Sequence, residues 1–365
     1  MRMSTSIIFL AAWSLLVPAW ADGPDGSPQD LRQLVDTGHC AGCNLAGADL
    51  SGMRLMSADL SKADLRGATL RKTVLFRANL SGADLREARV EKASLGRVNL
   101  SGAQLGGLKL QGARLAHATL VDARLENADL TSAMLEHADL RGANLVGANL
   151  SESSLRNARL DGVVFDNTTL KNADLRLLDL RKITSLRGSD LSGAQLDKVQ
   201  LDELDLSGNR FDGANLQQSS LAGASLQKAS LVGTNLRKAN LQDVDFSGAD
   251  LRGANMKGAK MKGVLLGSAN LEQSQLAGNL IGSDFSNGTL AKADLSGANL
   301  KDALFRNADL RQANFTSCNL YGADFSGAKL NKATFRRANL RNATFEGADL
   351  TGVIFEEARD APMPK

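Results

Sequence analysis

A bulky apolar residue occupies every fifth position of the chain from Leu45 to Leu180 without interruption. A period of five matches neither the 3.6-residue period of an amphipathic helix nor the alternation of a flat strand. The residue two positions before each bulky one is mostly small, as Ala48 is before Leu50. Because residues two apart in an extended segment point to the same side, each unit turns one small and one bulky side chain inward. Five residues are too few to fold back and pair, so the units must wind as the sides of a stacked coil, a β-solenoid.

Aromatic residues near the C-terminus indicate how many units make one coil. Phe alternates with Leu at the bulky positions from Phe305 to Phe355. Four units per coil stack identical residues on each side, whereas three or five units would mix Phe with Leu. One side then carries Phe285, Phe305, Phe325 and Phe345, and the opposite side carries Phe315, Phe335 and Phe355. The pattern therefore predicts a four-sided coil with twenty residues in each turn.

Units such as ADLSG, ANLVG and ADLRG, repeated along nearly the whole chain, resemble the A(D/N)LXX units of the pentapeptide-repeat family. The resemblance implies an all-β fold, a right-handed quadrilateral β-helix with the bulky and small residues inside. The length of the repeat region predicts about 16 coils, and the ~4.8 Å spacing of neighbouring strands then gives a rod roughly 75 Å long. The resemblance implies little about activity, because the family is defined by its architecture.

The repeat region is predicted to form one solenoid over residues 45–358. Residues 181–185 carry one extra residue, and one residue is lost within 277–284. Because the insertion falls where a coil ends, we expect a bulge at a corner and not a domain boundary. The tail, residues 359–365, contains two prolines and is expected to be disordered.

The first 21 residues have the features of a secretory signal peptide. Arg2 supplies a positive charge, Ile7 to Val17 is a short apolar stretch, and Ala19-Trp20-Ala21 is a small-x-small cleavage site. The apolar stretch is shorter than the roughly 20 residues needed to span a bilayer, which argues against an uncleaved anchor. We therefore expect cleavage after Ala21, a mature protein in the periplasm or outside the cell, and no membrane insertion after cleavage.

Residues 22–44 are expected to contain a linker, a capping helix and a Cys-x-x-Cys segment. Ser27 is a favoured N-cap residue, Pro28 suits the first helical position, and Gly38 ends the apolar pattern. A solenoid has an open end whose apolar interior and strand edges must be covered. The sequence thus predicts an amphipathic helix over residues 28–37 that covers this end.

The two cysteines of the segment, Cys40 and Cys43, fall on inward sites when the repeat is extended back from Leu45. In an oxidising compartment they can form a local disulfide, and buried free thiols are an equally structural alternative. A redox site, or a metal site that also uses His39, remains open as an alternative. Cys318 falls on a small inward site and is expected to be part of the core.

The charge balance gives no reason to expect a nucleic-acid partner. The predicted leader contains one of the 43 basic and none of the 40 acidic side chains, which leaves a nearly neutral mature chain. The twenty-residue period places opposite charges above one another, as with Arg71 and Glu91 or Arg141 and Asp161. A subgroup of the family consists of acidic cytoplasmic proteins that mimic DNA and protect topoisomerases. A neutral, exported chain makes that role a minor alternative.

Catalysis has little support, because no Ser-His-Asp set or Gly-rich phosphate loop stands out, so we expect neither an enzyme nor a cofactor. His117 and His137 are twenty residues apart and should stack about 4.8 Å apart by strand spacing, beside Glu136. Two imidazoles can share a metal, but a full ligand set is missing, so we expect surface residues and no metal.

Two apolar features could contact other proteins. Met56 and Phe76 are outward and twenty residues apart, which predicts an exposed patch. The last coil, with Phe345, Ile354 and Phe355, has no second capping helix after it, which favours a homodimer through the C-terminal coils, a contact that some relatives in the family make. We therefore expect an exported, non-catalytic scaffold for protein interactions with an unknown protein partner. The alternative is a periplasmic redox or metal-handling protein that uses Cys40 and Cys43.

Overall fold

The computed structural model describes residues 26–362. The predicted signal peptide, residues 1–21, lies outside the described residues, as do the last three residues of the predicted tail. The described chain contains one α-helix, α1, at Pro28–Thr37, and the remainder is a coil of short extended sides joined by two-residue turns.

Each side pairs with the side directly above it through one parallel bridge, which we call a rung. The residue just before each bulky residue forms the rung with its counterpart twenty positions later, as Asp64 does with Asp84. The N–H of Leu65 donates to the carbonyl of Asp84 at 2.8 Å, and the N–H of Ala68 turns back to the carbonyl of Leu65 at 3.0 Å. The second residue of the turn, Gly67 here, has φ near +65°, a conformation that glycine adopts without steric cost. The twenty-residue spacing of the rungs confirms four sides per coil.

The bulky and small residues of the units form one continuous core. The Phe side chains stack in two columns, with ring centroids of Phe305 and Phe325 4.8 Å apart. The two columns meet edge to face, and the centroids of Phe305 and Phe315 are 5.6 Å apart at 86°. The edge-to-face contacts are favourable for the aromatic quadrupoles and add to the gain from burying the rings.

Two corners absorb the irregularities of the repeat. The inserted residue is Thr184, so Val164 forms its rung with Ser185, and the hydroxyl of Thr184 donates to the carbonyl of Gly162 at 2.9 Å. At the deletion, one turn residue is missing before Gly278, which has φ +149°. A Cβ at this position would lie 3.0 Å from the carbonyl oxygen of Ala259, so only glycine fits without strain.

Helix α1 lies against the first coil. The N–H of Asp30 donates to the hydroxyl of Ser27 at 3.2 Å, and Gly38 ends the helix in the left-handed conformation. Leu34 is 1 % exposed and packs into the solenoid core. The carboxylate of Asp30 accepts a hydrogen bond from the N–H of Asn44 at 2.8 Å, which ties the helix to the first coil.

The opposite end is open. The last rung joins Asn339 and Arg359, so Arg359, which the sequence pattern assigned to the tail, still pairs with the coil before it. Phe345, Leu350 and Phe355 of the last coil are only partly buried. Within residues 26–362, the N–H groups of these three residues have no backbone acceptor.

The ladder of rungs is interrupted at three places within residues 26–362. The missing rungs are Arg89 with Lys109, Arg159 with Asp179, and Ser185 with Asp205. In each case the residue just before the second partner occupies a small inward site but is a leucine. These residues are Leu108, Leu178 and Leu204. A side chain too large for its site forces neighbouring structure apart, and here it separates the coil from the preceding one. We call each opening a seam.

Candidate functional site

Cys40 and Cys43 are joined as a disulfide, with their Cα atoms 5.2 Å apart. Both side chains point inward, and Cys40 is fully buried. The Sγ atom of Cys40 lies 3.1 Å from the backbone oxygen of Asp30 in helix α1. Because thiol exchange requires access of a thiolate to a sulfur, this buried position between helix α1 and the core protects the bond.

His117 and His137 stack as the twenty-residue spacing predicts, with ring centroids 4.8 Å apart and planes 4° from parallel. Each occupies the second position of a turn, with φ of +57° and +58°, and each is exposed. In the part of the chain that the structure describes, no three His, Cys, Asp or Glu side chains are grouped so that they could hold a metal ion. The imidazole pair therefore offers at most two ligands.

Met56 and Phe76 lie on neighbouring coils, but they differ in exposure. Met56 is 56 % exposed, whereas Phe76 is half-buried. The ring of Phe76 lies over Gly96, where an added Cβ would be 3.4 Å from it, and the guanidinium of Arg77 lies 5.4 Å from the ring centre. Much of the predicted patch is thus covered by the protein itself, and Met56 is its accessible part.

The C-terminal end brings together the residues named as a dimer surface. Ile354 is 42 % exposed, and Phe345 and Phe355 stack on the Phe columns with one face toward the open end. This end therefore combines apolar side chains with unpaired backbone donors, both of which favour association with another chain.

Many charged residues on the surface form ion pairs with each other. Arg71 lies 3.5 Å from Glu91 on the next coil, as predicted. Arg141, which we expected to pair with Asp161, instead binds Asp139 of its own unit at 2.8 Å. The same two-residue fork joins Arg181 to Asp179, and its hydrogen bonds lower the pKa of Asp179 to about 2. The Asp-Leu-Arg triplet could have revealed this pairing, because it places both side chains beside one turn.

Among residues 26–362, no helix has the length and apolar character needed to cross a membrane.

A profile of pentapeptide repeats matches the chain in eight copies that together cover more than half of it. The copies span residues 39–71, 78–115, 109–145, 143–181, 219–258, 229–267, 279–317 and 318–356. No curated protein matches the chain.

Several solved structures of pentapeptide-repeat proteins are similar to the chain. HetL from the cyanobacterium Nostoc sp. strain PCC 7120, a protein involved in heterocyst differentiation regulation, is 28 % identical, with 64 % of this chain and 86 % of HetL covered and a TM-score of 0.25. Rfr23 from the cyanobacterium Cyanothece 51142 is 30 % identical, with coverage of 39 % and 98 % and a TM-score of 0.18. QnrB1, a plasmid-mediated fluoroquinolone resistance protein, is 17 % identical, with coverage of 48 % and 88 % and a TM-score of 0.28.

Because these TM-scores are low, the assignment rests on the repeat profile. The chain belongs to the pentapeptide-repeat family, whose members fold as right-handed quadrilateral β-helices.

Proposed function

We propose that this protein is an exported, non-catalytic scaffold that binds another protein along the surface of a rigid rod. The observation that carries the proposal is the continuous core and the ladder of rungs along it, which hold outward side chains of successive coils at a spacing of about 4.8 Å. Such a solenoid of about 16 coils offers an extended surface, which is how repeat proteins typically bind partners. Helix α1 serves as the cap of its N-terminal end.

Export is proposed from the leader sequence. Mature protein purified from the cell envelope or the medium should begin at Asp22, as determined by N-terminal sequencing. If the protein retains Met1 and remains in the cytoplasm, it is not exported, and that part of the proposal is wrong.

The scaffold function can be tested by site-specific photo-crosslinking in intact envelopes. A photoreactive residue at Met56, the accessible part of the apolar patch, should give one crosslinked product of defined mass. Lys257 provides a matched control, because it occupies the same first turn position on a different coil and is also exposed. If crosslinkers on all four sides of the rod capture nothing, the protein is not an interaction scaffold.

A redox function is the second candidate, because Cys40 and Cys43 are bonded to each other. A variant with both cysteines replaced by serine distinguishes the scaffold function from the redox function. The scaffold proposal expects unchanged crosslinking at Met56 with at most a loss of stability, whereas a redox protein would lose its activity toward thiol substrates. A DNA-mimic role is not proposed, because the chain has a formal net charge of +3 and lacks the excess negative charge of DNA.

A further inference from the structure

At the seam where the rung between Arg89 and Lys109 is missing, a cleft separates Val90 from Lys109. A cleft of ≈ 610 Å³ opens there, lined by residues 90–94 and 109–114. Neither an insertion nor a deletion lies nearby, so the oversized Leu108 is the structural cause of this opening. The rungs of the same coil on either side of it, Asp84 with Gln104 and Ser94 with Arg114, remain in place.

Both edges of the seam carry backbone groups without a protein partner in the described part of the chain. The donors include the N–H groups of Val90, Lys92 and Lys109, and the acceptors include the carbonyls of Ala88, Lys109 and Gln111. In intact units the corresponding groups point at the neighbouring coil, so here they face the cleft. Unpaired strand edges of this kind are templates for a further extended segment.

The side chains around the cleft are predominantly cationic. Lys92, Lys109 and Arg114 line it. Of the carboxylates nearby, Glu91 is paired with Arg71 at 3.5 Å, and Asp129 accepts a hydrogen bond from Gln111 at 2.5 Å. The cleft therefore favours a negatively charged occupant.

The seam at Ser185 and Asp205 offers a comparison, because it also opens into a cleft. Its cleft is smaller, at ≈ 300 Å³, and is lined by Asp166, Arg187 and Asp205. The carboxylate of Asp166 accepts a hydrogen bond from the backbone N–H of Arg187 at 2.9 Å, and Arg187 pairs with Asp205 at 3.1 Å. At that seam the missing rung involves Asp205, whose charge is paired with Arg187, whereas Lys109 occupies the equivalent position at the first seam.

We propose that the seam at Val90 and Lys109 binds an extended acidic peptide segment of a partner protein. An isolated anion such as phosphate could use the N–H donors and the cations, but it would leave the facing carbonyls unpaired. A peptide backbone carries both donors and acceptors, and acidic side chains complement Lys92, Lys109 and Arg114. The inference rests on the proposed scaffold function and assigns it one binding site and one class of partner.

The test uses the full mature protein and a dye-labelled, end-blocked pentapeptide of alternating Glu and Val, with binding measured by fluorescence anisotropy. The peptide should bind, and a matched peptide of alternating Lys and Val should not. The variant Lys92→Glu should weaken binding roughly tenfold or more. The control Lys238→Glu changes an exposed lysine at the same turn position beside an intact ladder bond, and it should leave affinity unchanged.

A second pair of variants tests the seam itself. Leu108→Ala should let the two coils close and abolish peptide binding, while Leu178→Ala, which changes a different seam, should not affect it. Equal weakening by Lys92→Glu and Lys238→Glu, or unchanged binding to Leu108→Ala, would overturn the proposal. Complete displacement of the peptide by millimolar inorganic phosphate would instead identify a simple anion site and would also overturn it. Crosslinking at Met56 is independent of the seam, so its persistence after a negative peptide result would leave the scaffold function in place.

Discussion

At the scale of single residues, the side chain two positions before each bulky residue controls how closely two coils approach. Ala, Ser or Thr at this site permits a rung, whereas Leu108, Leu178 and Leu204 each coincide with a missing one. Met53 occupies the same kind of site in the first coil, where no earlier coil exists to be displaced. The size of one inward side chain therefore has a direct effect on backbone pairing.

Replacement of such a leucine should have an unusual effect on stability. Leu→Ala at an ordinary core position costs roughly 2–5 kcal/mol, and we expect Leu175→Ala, at a bulky site, to fall in that range. Leu178→Ala should lower the free energy of unfolding by clearly less, because it relieves overpacking and allows the backbones of Arg159 and Asp179 to form the missing rung. Denaturant unfolding of both variants measures the difference, and hydrogen exchange should show new protection of the Leu160 N–H. An equal loss in the two variants would contradict the explanation.

Cys318 should be chemically inert in the folded protein. Its side chain is buried, and this burial raises the pKa of the thiol to about 12, so very little thiolate exists at neutral pH. A thiol reagent at pH 8 should leave the native protein unlabelled and should add one label per chain in denaturant. Reduction before labelling should raise the count to three, because Cys40 and Cys43 then also react. Rapid labelling of native protein would show that the core around Cys318 opens.

At the scale of the five-residue unit, the outward carboxylates stabilise the turns beside them. Asp324 is an example, because its side chain is only 16 % exposed and accepts hydrogen bonds from Ser326, Arg306 and Thr344. Burial alone would raise its pKa, but these hydrogen bonds hold it well below its usual range. The sequence predicts where such residues lie, since they precede each bulky residue, but not which donor they select. That choice depends on rotamers and on the neighbouring coil.

The lowered pKa of Asp179 predicts a loss of stability in acid. Its folded pKa of about 2, lowered by the hydrogen bonds from Arg181, is below the usual value of about 3.9. The ionised form therefore stabilises the fold above pH 4, and this contribution disappears as the pH falls from about 4 to about 2. Over this pH range, the unfolding temperature should decrease less for Asp179→Asn than for the wild type. Arg181→Gln should also give a smaller decrease, because the pKa of Asp179 then returns toward its unfolded value, and an unchanged profile in both variants would exclude the fork as its cause.

At the scale of the whole molecule, the periodic residues were sufficient to predict the four-sided coil, its register and the two Phe columns. The inserted and deleted residues were also located to within one unit, because each shifts every later bulky position. The seams were not predicted, although the leucines that cause them are visible in the sequence. Leu108 looks like one more apolar residue in the sequence, although its site has room only for a small side chain. How the coils respond to the extra volume depends on three-dimensional packing.

The open C-terminal end predicts the oligomeric state. We expect light scattering of the mature protein to give twice the mass of one chain, because the end carries apolar side chains and unpaired donors. Ile354→Glu should produce a monomer by burying a charge in the contact. Ile281→Glu is the control, since Ile281 is similarly exposed, at 39 %, but lies well away from the end. A wild-type monomer, or dissociation by both variants alike, would argue against a dimer through this end.

The different ends of the rod also determine the order in which the protein can fold. A chain that crosses a membrane N-terminus first presents helix α1, Cys40 and Cys43 before the coils, and each later coil meets a completed edge whose N–H donors already point toward it. Every rung requires a partner only about twenty residues back, so the loop to be closed is short and the same at each step. The chain can therefore assemble coil by coil as it emerges, with the most recently added coil as the template for the next one.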